Sequence, residues 1–329
     1  MDNYYTESFN KGKFQDILSK YQAAARENHR SVQITPTQVI AFHKKGKSLN
    51  SFKKFEEAIK LFDKAIELDP NDPMIQYSKG YSLHNLKKFD EAIKCYDMAL
   101  QAKPDSSQFY NNKGISLRNL NRFEEAIECY DKAIEIDPNE TASYINKGYA
   151  LHNLKRYEEA IECYNKAIEI DPSESSSYFN KGMSLDELKR YEESVECYNK
   201  TILFDEYDSA ACFKKGEALR NLKRYEEAIA AYDQAIDIDP KYSAAYYNKG
   251  RALRSFNRLE EALNCYDKAI EYNPNYSYAY NNKGVTLHLL GRWEEAIECY
   301  NKSIQLNPNN ILPIKNKEIA IQNLKRKNH

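Results

Sequence analysis

The chain has 329 residues, 42% of them hydrophobic and 29% charged. Its 48 basic and 49 acidic residues leave a net charge of −1, which removes the broad electrostatic attraction on which nucleic-acid or anionic-membrane binding depends. The opening MDNYYTESFNKGK lacks an apolar core segment and no stretch approaches the roughly 18 apolar residues of a spanning helix, so neither a secretory signal nor membrane insertion is expected, and a cytoplasmic location is.

Taken in order, residues 1–38 hold a weak helical pattern, with Phe14, Leu18, Tyr21 and Ala24 suggesting a degenerate half-repeat over residues 6–28 and a polar linker through Ser31 to Thr37. From Val39 to Asn310 one 34-residue pattern runs eight times: glycine recurs at Gly46, Gly80, Gly114, Gly148, Gly182, Gly216, Gly250 and Gly284, and a proline follows 24 residues later in seven of the eight copies. A fixed short period predicts one array of stacked units rather than separate domains. In the third copy, Ser107 to Glu140, Tyr110, Gly114 and Leu117 share one stripe at about 100° per residue, which predicts a first helix (A). After a turn at Leu120 to Arg122, Phe123, Ala126, Ile127, Tyr130, Ala133 and Ile134 give a second helix (B) its own apolar stripe. Gly114 and Ala126 would let the two backbones approach, with rings at Tyr110, Phe123 and Tyr130 filling the flanks. Ser107 and its counterparts Thr141, Ser175, Ser209, Ser243 and Ser277 are expected to cap helix A, Glu124 and Glu125 to favour the N-terminus of helix B, and Asp137-Pro138 to stop it. Residues 311–329 read as a lone capping helix, Ile311 to Arg326, with a basic tail; Glu318 stands where a glycine would be.

These residues resemble the tetratricopeptide repeat, whose pattern of aromatic, leucine, glycine, aromatic, alanine, aromatic, alanine and proline is met from Val39 to Asn310. The resemblance implies an all-α fold, a right-handed α-solenoid superhelix of antiparallel helix pairs, in which A helices line the concave wall and eight copies make about one turn. It also implies a scaffold for protein partners. Two departures stand out. The residue before each glycine is always lysine (Lys45, Lys79, Lys113, Lys147, Lys181, Lys215, Lys249, Lys283), expected to pack its stem and lift its ammonium into water. At the join of the fifth and sixth copies, Phe204-Asp205-Glu206-Tyr207 lacks the proline and Cys212 replaces an aromatic, so a looser join is expected there.

With the Tyr110–Gly114–Leu117 stripe facing helix B, Gln108, Asn112, Ile115 and Asn119 fall on the opposite side and should line the groove. The slot of Asn112 also holds Asn146, Asn180, Asn248 and Asn282. An amide offers both donor and acceptor and can bracket a peptide backbone without reading its side chains, or it can tie one helix to the next. The row looks like the asparagine ladder of O-GlcNAc transferases, which implies a grip on an extended polypeptide. Selectivity is expected from Tyr81 and Tyr149 as aromatic platforms, from Arg118, Arg220, Arg251 and Arg254 toward acidic groups, and from an apolar patch at Tyr278, Val285 and Leu289; Asp186 and Glu187 invert the charge in the fifth copy. Cys95, Cys129, Cys163, Cys197, Cys265 and Cys299 share one slot, too far apart across stacked helices to pair, and are expected as small, half-buried helix residues in a reducing compartment. His84, His152 and His288 lie two and four repeats apart, too far for one metal, and are expected as scattered surface residues. No phosphate loop or nucleophile–base motif is seen, so no catalysis, cofactor or metal is expected. The expected partner is an extended protein or peptide segment, with self-association through the ends open. Two alternatives are a structural subunit of a cytoskeletal, ciliary or cell-cycle assembly, contacting through the convex face or ends (Ile314 and Ile321), and a heat-shock-protein co-chaperone. The second fits poorly, because His43 with Lys47 and Tyr77 with Tyr81 do not match the lysine–asparagine clamp of that group.

Overall fold

The computed structural model of the chain describes residues 36–327, so the half-repeat expected over residues 6–28 lies outside the described residues. Among the described residues every regular element is an α-helix. The A helices are α1 (Pro36–Ser51), α3 (Pro73–Asn85), α5 (Ser107–Asn119), α7 (Thr141–Asn153), α9 (Ser175–Glu187), α11 (Ser209–Asn221), α13 (Ser243–Ser255) and α15 (Ser277–Leu289). They alternate with the B helices α2 (Phe55–Leu68), α4 (Phe89–Ala102), α6 (Phe123–Ile136), α8 (Tyr157–Ile170), α10 (Tyr191–Phe204), α12 (Tyr225–Ile238), α14 (Leu259–Tyr272) and α16 (Trp293–Leu306), and α17 (Ile311–Lys327) follows. The chain parts into two compact units, Met1–Ala150 and Leu151–His329.

Each hairpin is closed by the same local chemistry. In the third copy Asn121 takes a left-handed φ of 58°, which lets Asn121 N–H reach Arg118 O at 2.9 Å and Arg122 N–H reach Leu117 O at 3.0 Å, satisfying carbonyls that the end of α5 would otherwise leave bare. Lysine fills the left-handed position in most other copies and Gly291 in the last. Helix B ends as expected: Asp137 is extended before Pro138 and its N–H still bonds Ala133 O at 2.9 Å. The expected caps of helix A are one residue out. Ser107, Ser175, Ser209, Ser243 and Ser277 are already helical; the residue before caps α9 and α11, where Glu174 accepts from Ser176 N–H at 3.2 Å and Asp208 from Ala211 N–H at 2.9 Å, while Ser106, Tyr242 and Tyr276 make no side-chain cap. A side chain already inside the first turn is displaced from the free amides, whereas one just outside it can reach back to them.

The core of each hairpin is a ring over a glycine. Tyr130, with no exposed surface, lies between Ala126 and Ala133, also fully buried. A Cβ on Gly114 would stand 2.6 Å from Cε1 of that ring, so the helices cross at this distance only because the position is glycine. In the second unit Tyr198, Tyr232 and Tyr266 repeat the arrangement, joined by Leu219 and Leu253 into one cluster. Successive A helices also meet directly: α1 with α3 and α3 with α5 in the first unit, and α9, α11, α13, α15 and α17 in sequence in the second. The A side is therefore the crowded, inner side within each unit.

The lysine before the glycine does more than lift its charge into water. Lys79 bonds Asp63 at 2.6 Å, Lys113 bonds Asp97 at 2.6 Å and Lys147 bonds Asp131 at 2.5 Å, each aspartate lying on the preceding B helix; Lys249–Asp233 and Lys283–Asp267 repeat the pair. Asn165 and Asn199 replace that aspartate in the fourth and fifth copies. At the proline-less join Tyr207 N–H still bonds Asp205 Oδ1 at 3.2 Å, Asp208 caps α11, and Cys212 is buried.

Candidate functional site

The inner face is built by the A helices, whose apolar stripes are used up against the B helices. In α5, Gln108 and Asn119 are exposed and Asn112, Ile115 and Arg118 half-buried, so the side predicted to face away from helix B does so. Of the aromatic and apolar candidates, Tyr81, Tyr149, Tyr278 and Leu289 stand out with 41%, 38%, 51% and 60% of their surface exposed. Val285 differs: it is half-buried and packs against the cluster of Leu287 and Tyr300, which leaves less of it for a ligand.

Most of the asparagines join one repeat to the next. Asn112 Nδ2 donates to Tyr77 Oη at 3.1 Å and to Gln108 O at 2.9 Å. Asn146 Nδ2 donates to Asn111 Oδ1 at 3.1 Å, and Asn146 Oδ1 accepts from Arg118 Nη1 at 2.9 Å. Asn282 Nδ2 donates to Tyr247 Oη at 3.1 Å and Tyr278 O at 2.9 Å, while its Oδ1 accepts from Arg254 Nη1 at 2.9 Å. The same register, 35 residues apart, links His43 to Ser78 at 2.9 Å and Asn281 to Asn316 at 3.1 Å. Asn248 is buried and turned on its own helix, to Ala244 O at 3.0 Å and Arg251 Nη1 at 3.1 Å; Asn180 is half-buried on α9. The partners Tyr77, Asn111, Tyr247 and Asn281 lie outside the expected groove residues. A signal for them existed, since a polar residue in the slot before the asparagine slot, one repeat earlier, accompanies each of these bonds, and the apolar Phe213 precedes the exception at Asn248.

Two other expectations change. Asp186 is turned inward: it accepts from Ser194 Oγ at 2.6 Å and Tyr198 Oη at 2.7 Å inside its own hairpin, and burial raises its carboxyl pKa above the ordinary value. Glu187 remains exposed. The histidines are not loose surface residues. His84 Nδ1 bonds Ser116 Oγ at 2.8 Å, His152 Nδ1 bonds Ser184 Oγ at 2.9 Å, and His288 bonds Asn323 at 3.1 Å; burial lowers the pKa of His84 and His152. These rings are half-buried inter-repeat links, because the slot sits at the seam where the next A helix passes.

Arg118 lies 4.8 Å above the ring of Tyr149, and Arg251 lies 5.6 Å above that of Tyr247. Burial pushes the thiols of Cys95, Cys129, Cys197, Cys265 and Cys299 up to about 11. At pH 8 they are protonated and shielded, so a thiol-reactive disulfide reagent is expected to label none of these five in the folded protein within minutes and all of them after denaturation. Prompt labelling of any one in the native protein would contradict the packing described.

Among the described residues no helix is long and apolar enough to cross a membrane, and no group of three or more histidine, cysteine, aspartate or glutamate residues is arranged to hold a metal ion. Family models described as tetratricopeptide repeat match residues 107–140, 141–174 and 277–310, residues 43–107 and residues 163–196, and one described as TPR repeat matches 216–255 and 250–291. Among solved structures the chain is similar to the crystal structure of YrrB, a TPR protein with an unusual peptide-binding site (26% identity, 58% of this chain and 99% of that one, TM-score 0.51). It is also similar to the C-terminal part of a TPR repeat-containing protein from Cytophaga hutchinsonii (17% identity, 73% and 98%, TM-score 0.62). A third similar structure is the APC/C hetero-tetramer Cut9–Hcn1 (18% identity, 84% of this chain, TM-score 0.55), of whose chain the match spans 54%. No curated protein matches the sequence significantly.

Proposed function

Because this chain belongs to the tetratricopeptide repeat family, whose arrays are scaffolds for protein–protein interaction, we propose that it holds an extended segment of a protein partner on the inner face of its A helices. The observation that carries this reading is the set of exposed aromatic and apolar side chains on that face, Tyr81 and Tyr149 in the first unit and Tyr278 and Leu289 in the second, standing among polar groups instead of in the core. Arg118 in the first unit and Arg220, Arg251 and Arg254 in the second add charge. The asparagines grip less than expected, because Asn146, Asn248 and Asn282 spend both ends of the amide within the protein; Asn112 and Asn180 are the rungs with capacity left for a peptide backbone. Even five such bonds at a net ~1 kcal/mol each would no more than match the ~4–15 kcal/mol that association costs, so the rings and arginines supply the affinity. The peptide-binding site of YrrB supports the reading.

The reading is tested by selecting linear peptides from a displayed library with the native protein and with Tyr81→Ala, Tyr149→Ala and Tyr278→Ala combined. Enrichment of linear motifs by the native protein, weakened at least tenfold in the variant, is the expected result. A second reading, a structural subunit contacting through its outer face or end, is favoured by exposed Leu203 in the last turn of α10, by exposed Tyr207 after it, and by Ile311, Leu312, Ile314 and Ile319 on α17. Peptide selection or partner co-purification that survives the tyrosine changes and is lost with Leu203→Asp and Ile319→Asp would replace the first reading with the second.

A further inference from the structure

Six of the eleven arginines among the described residues are already neutralised. Arg122, Arg156, Arg190, Arg224, Arg258 and Arg292, each just ahead of a B helix, make two-pronged bonds to a glutamate three residues on. Arg220, Arg251 and Arg254, on the A helices α11 and α13 of the second unit, form no ion pair among the described residues. They gather around one phenol. Arg251 lies over the Tyr247 ring, 5.6 Å from its centre. Arg254 donates to Asn282, which in turn donates to Tyr247 Oη at 3.1 Å. The charge of Arg220 reaches the same hydroxyl, together with those of the other two, and its Nε is buried with no acceptor. The nearby acid, Glu217, is bonded to Lys214 at 2.9 Å.

The same framework occurs without the charge in the first unit. Tyr77 is held by Asn112 at 3.1 Å, as Tyr247 is by Asn282, but the places of Arg220, Arg251 and Arg254 are taken there by Asn50, Tyr81 and His84. The hydrogen-bonded framework thus does not itself require arginine. Three cations with one unfilled buried N–H, beside a hydroxyl that accepts from Asn282 and keeps its own proton to donate, are complementary to a group with several acceptor oxygens and more than one negative charge.

We propose that Arg220, Arg251 and Arg254, with the Tyr247 hydroxyl as a further donor, form a docking site for a doubly charged oxyanion on the bound segment: a phosphorylated side chain or a pair of adjacent carboxylates. This rests on the reading that a peptide lies on the inner face. One side chain with three oxygens and about two charges fills a single convergent site better than a lone carboxylate does, so a phosphorylated residue is the stronger ligand.

The test uses three fluorescein-labelled peptide pools, degenerate at flanking positions, that differ only at the centre: Ser-Ser, Glu-Glu and phosphoserine-Ser. Anisotropy is read on the full chain, on Arg251→Gln with Arg254→Gln, and on Arg190→Gln as an outer-turn control. The native protein is expected to bind the phosphoserine pool at least tenfold more tightly than the Ser-Ser pool. The double variant is expected to lose that preference while keeping its circular dichroism, and the control to keep it; raising salt from about 50 to 200 mM should narrow the preference. A preference for Glu-Glu over phosphoserine that the double variant also loses would support the site and assign it to paired carboxylates. Equal binding of all three pools, or a preference unchanged in the double variant, would overturn the proposal and leave the inner-face reading standing. Failure of every pool to bind the native protein would count against both, and the peptide selection described above then decides whether the inner face is used at all. If the double variant loses its helical signal, Arg220→Gln, whose guanidinium forms no ion pair among the described residues and neighbours the Tyr232 hydroxyl, takes its place with the same expectation.

Discussion

Replacing Tyr130 with alanine is expected to destabilise the protein by roughly 3–5 kcal/mol, the usual cost of emptying a fully buried aromatic site. The ring has no exposed surface and rests against Gly114, so no neighbour is positioned to fill the void. Gly114→Ala is expected to cost about 1–3 kcal/mol from overpacking against the ring, even though alanine favours a helix interior by ~1 kcal/mol. The two changes should not add. With Tyr130 removed, the alanine at 114 has room, and its effect should turn neutral or favourable. Denaturant midpoints of the two single variants and the double variant measure this; a Gly114→Ala penalty of equal size in both backgrounds would show that the ring is not what requires glycine. The cost belongs to the ring and not its hydroxyl, which is buried with no partner.

Converting Asn112, Asn146, Asn248 and Asn282 together to alanine is expected to lower stability by roughly 3–5 kcal/mol, taking ~1 kcal/mol for each of the bonds to Tyr77, Asn111, Arg118, Tyr247 and Arg254. The helical signal at low temperature should survive, because the hairpin cores are untouched, while the thermal midpoint falls. This result would establish the asparagines as structural links first. A midpoint unchanged by the fourfold variant would mean that the links contribute nothing and that the amides are free for a ligand. The consequence for function is practical: loss of binding in such a variant cannot be read as loss of a peptide contact, whereas loss in the exposed-tyrosine variant can.

How much was legible in the sequence follows from the range of each interaction. Helix placement, the left-handed turns and the Asp-Pro stops depend on neighbours within about five residues, so the 34-residue pattern displays them directly. The glycine–tyrosine contact spans 16 residues, from Gly114 to Tyr130, and was legible because both members recur. The caps of helix A fall one residue before the recurring serine, where Asp208 and Glu174 accept from the first turn but Tyr242 makes no side-chain cap, so no fixed residue marks them. The lysines' ion pairs are not visible in one copy of the pattern, because their aspartate partners sit on a different hairpin.

By itself the sequence determined the repeat, the alternation of A and B helices, the apolar stripes that join them and the side of each A helix that faces away from its partner, because each of these repeats at fixed spacing. Only the tertiary structure decided what the inner side chains do there. Whether Asn112 faces a ligand or Tyr77, whether Asp186 is a charge or an internal acceptor, and which arginines are left without a carboxylate depend on groups brought together from successive repeats. Those groups are about one period apart in the chain and within hydrogen-bonding distance only once the hairpins stack.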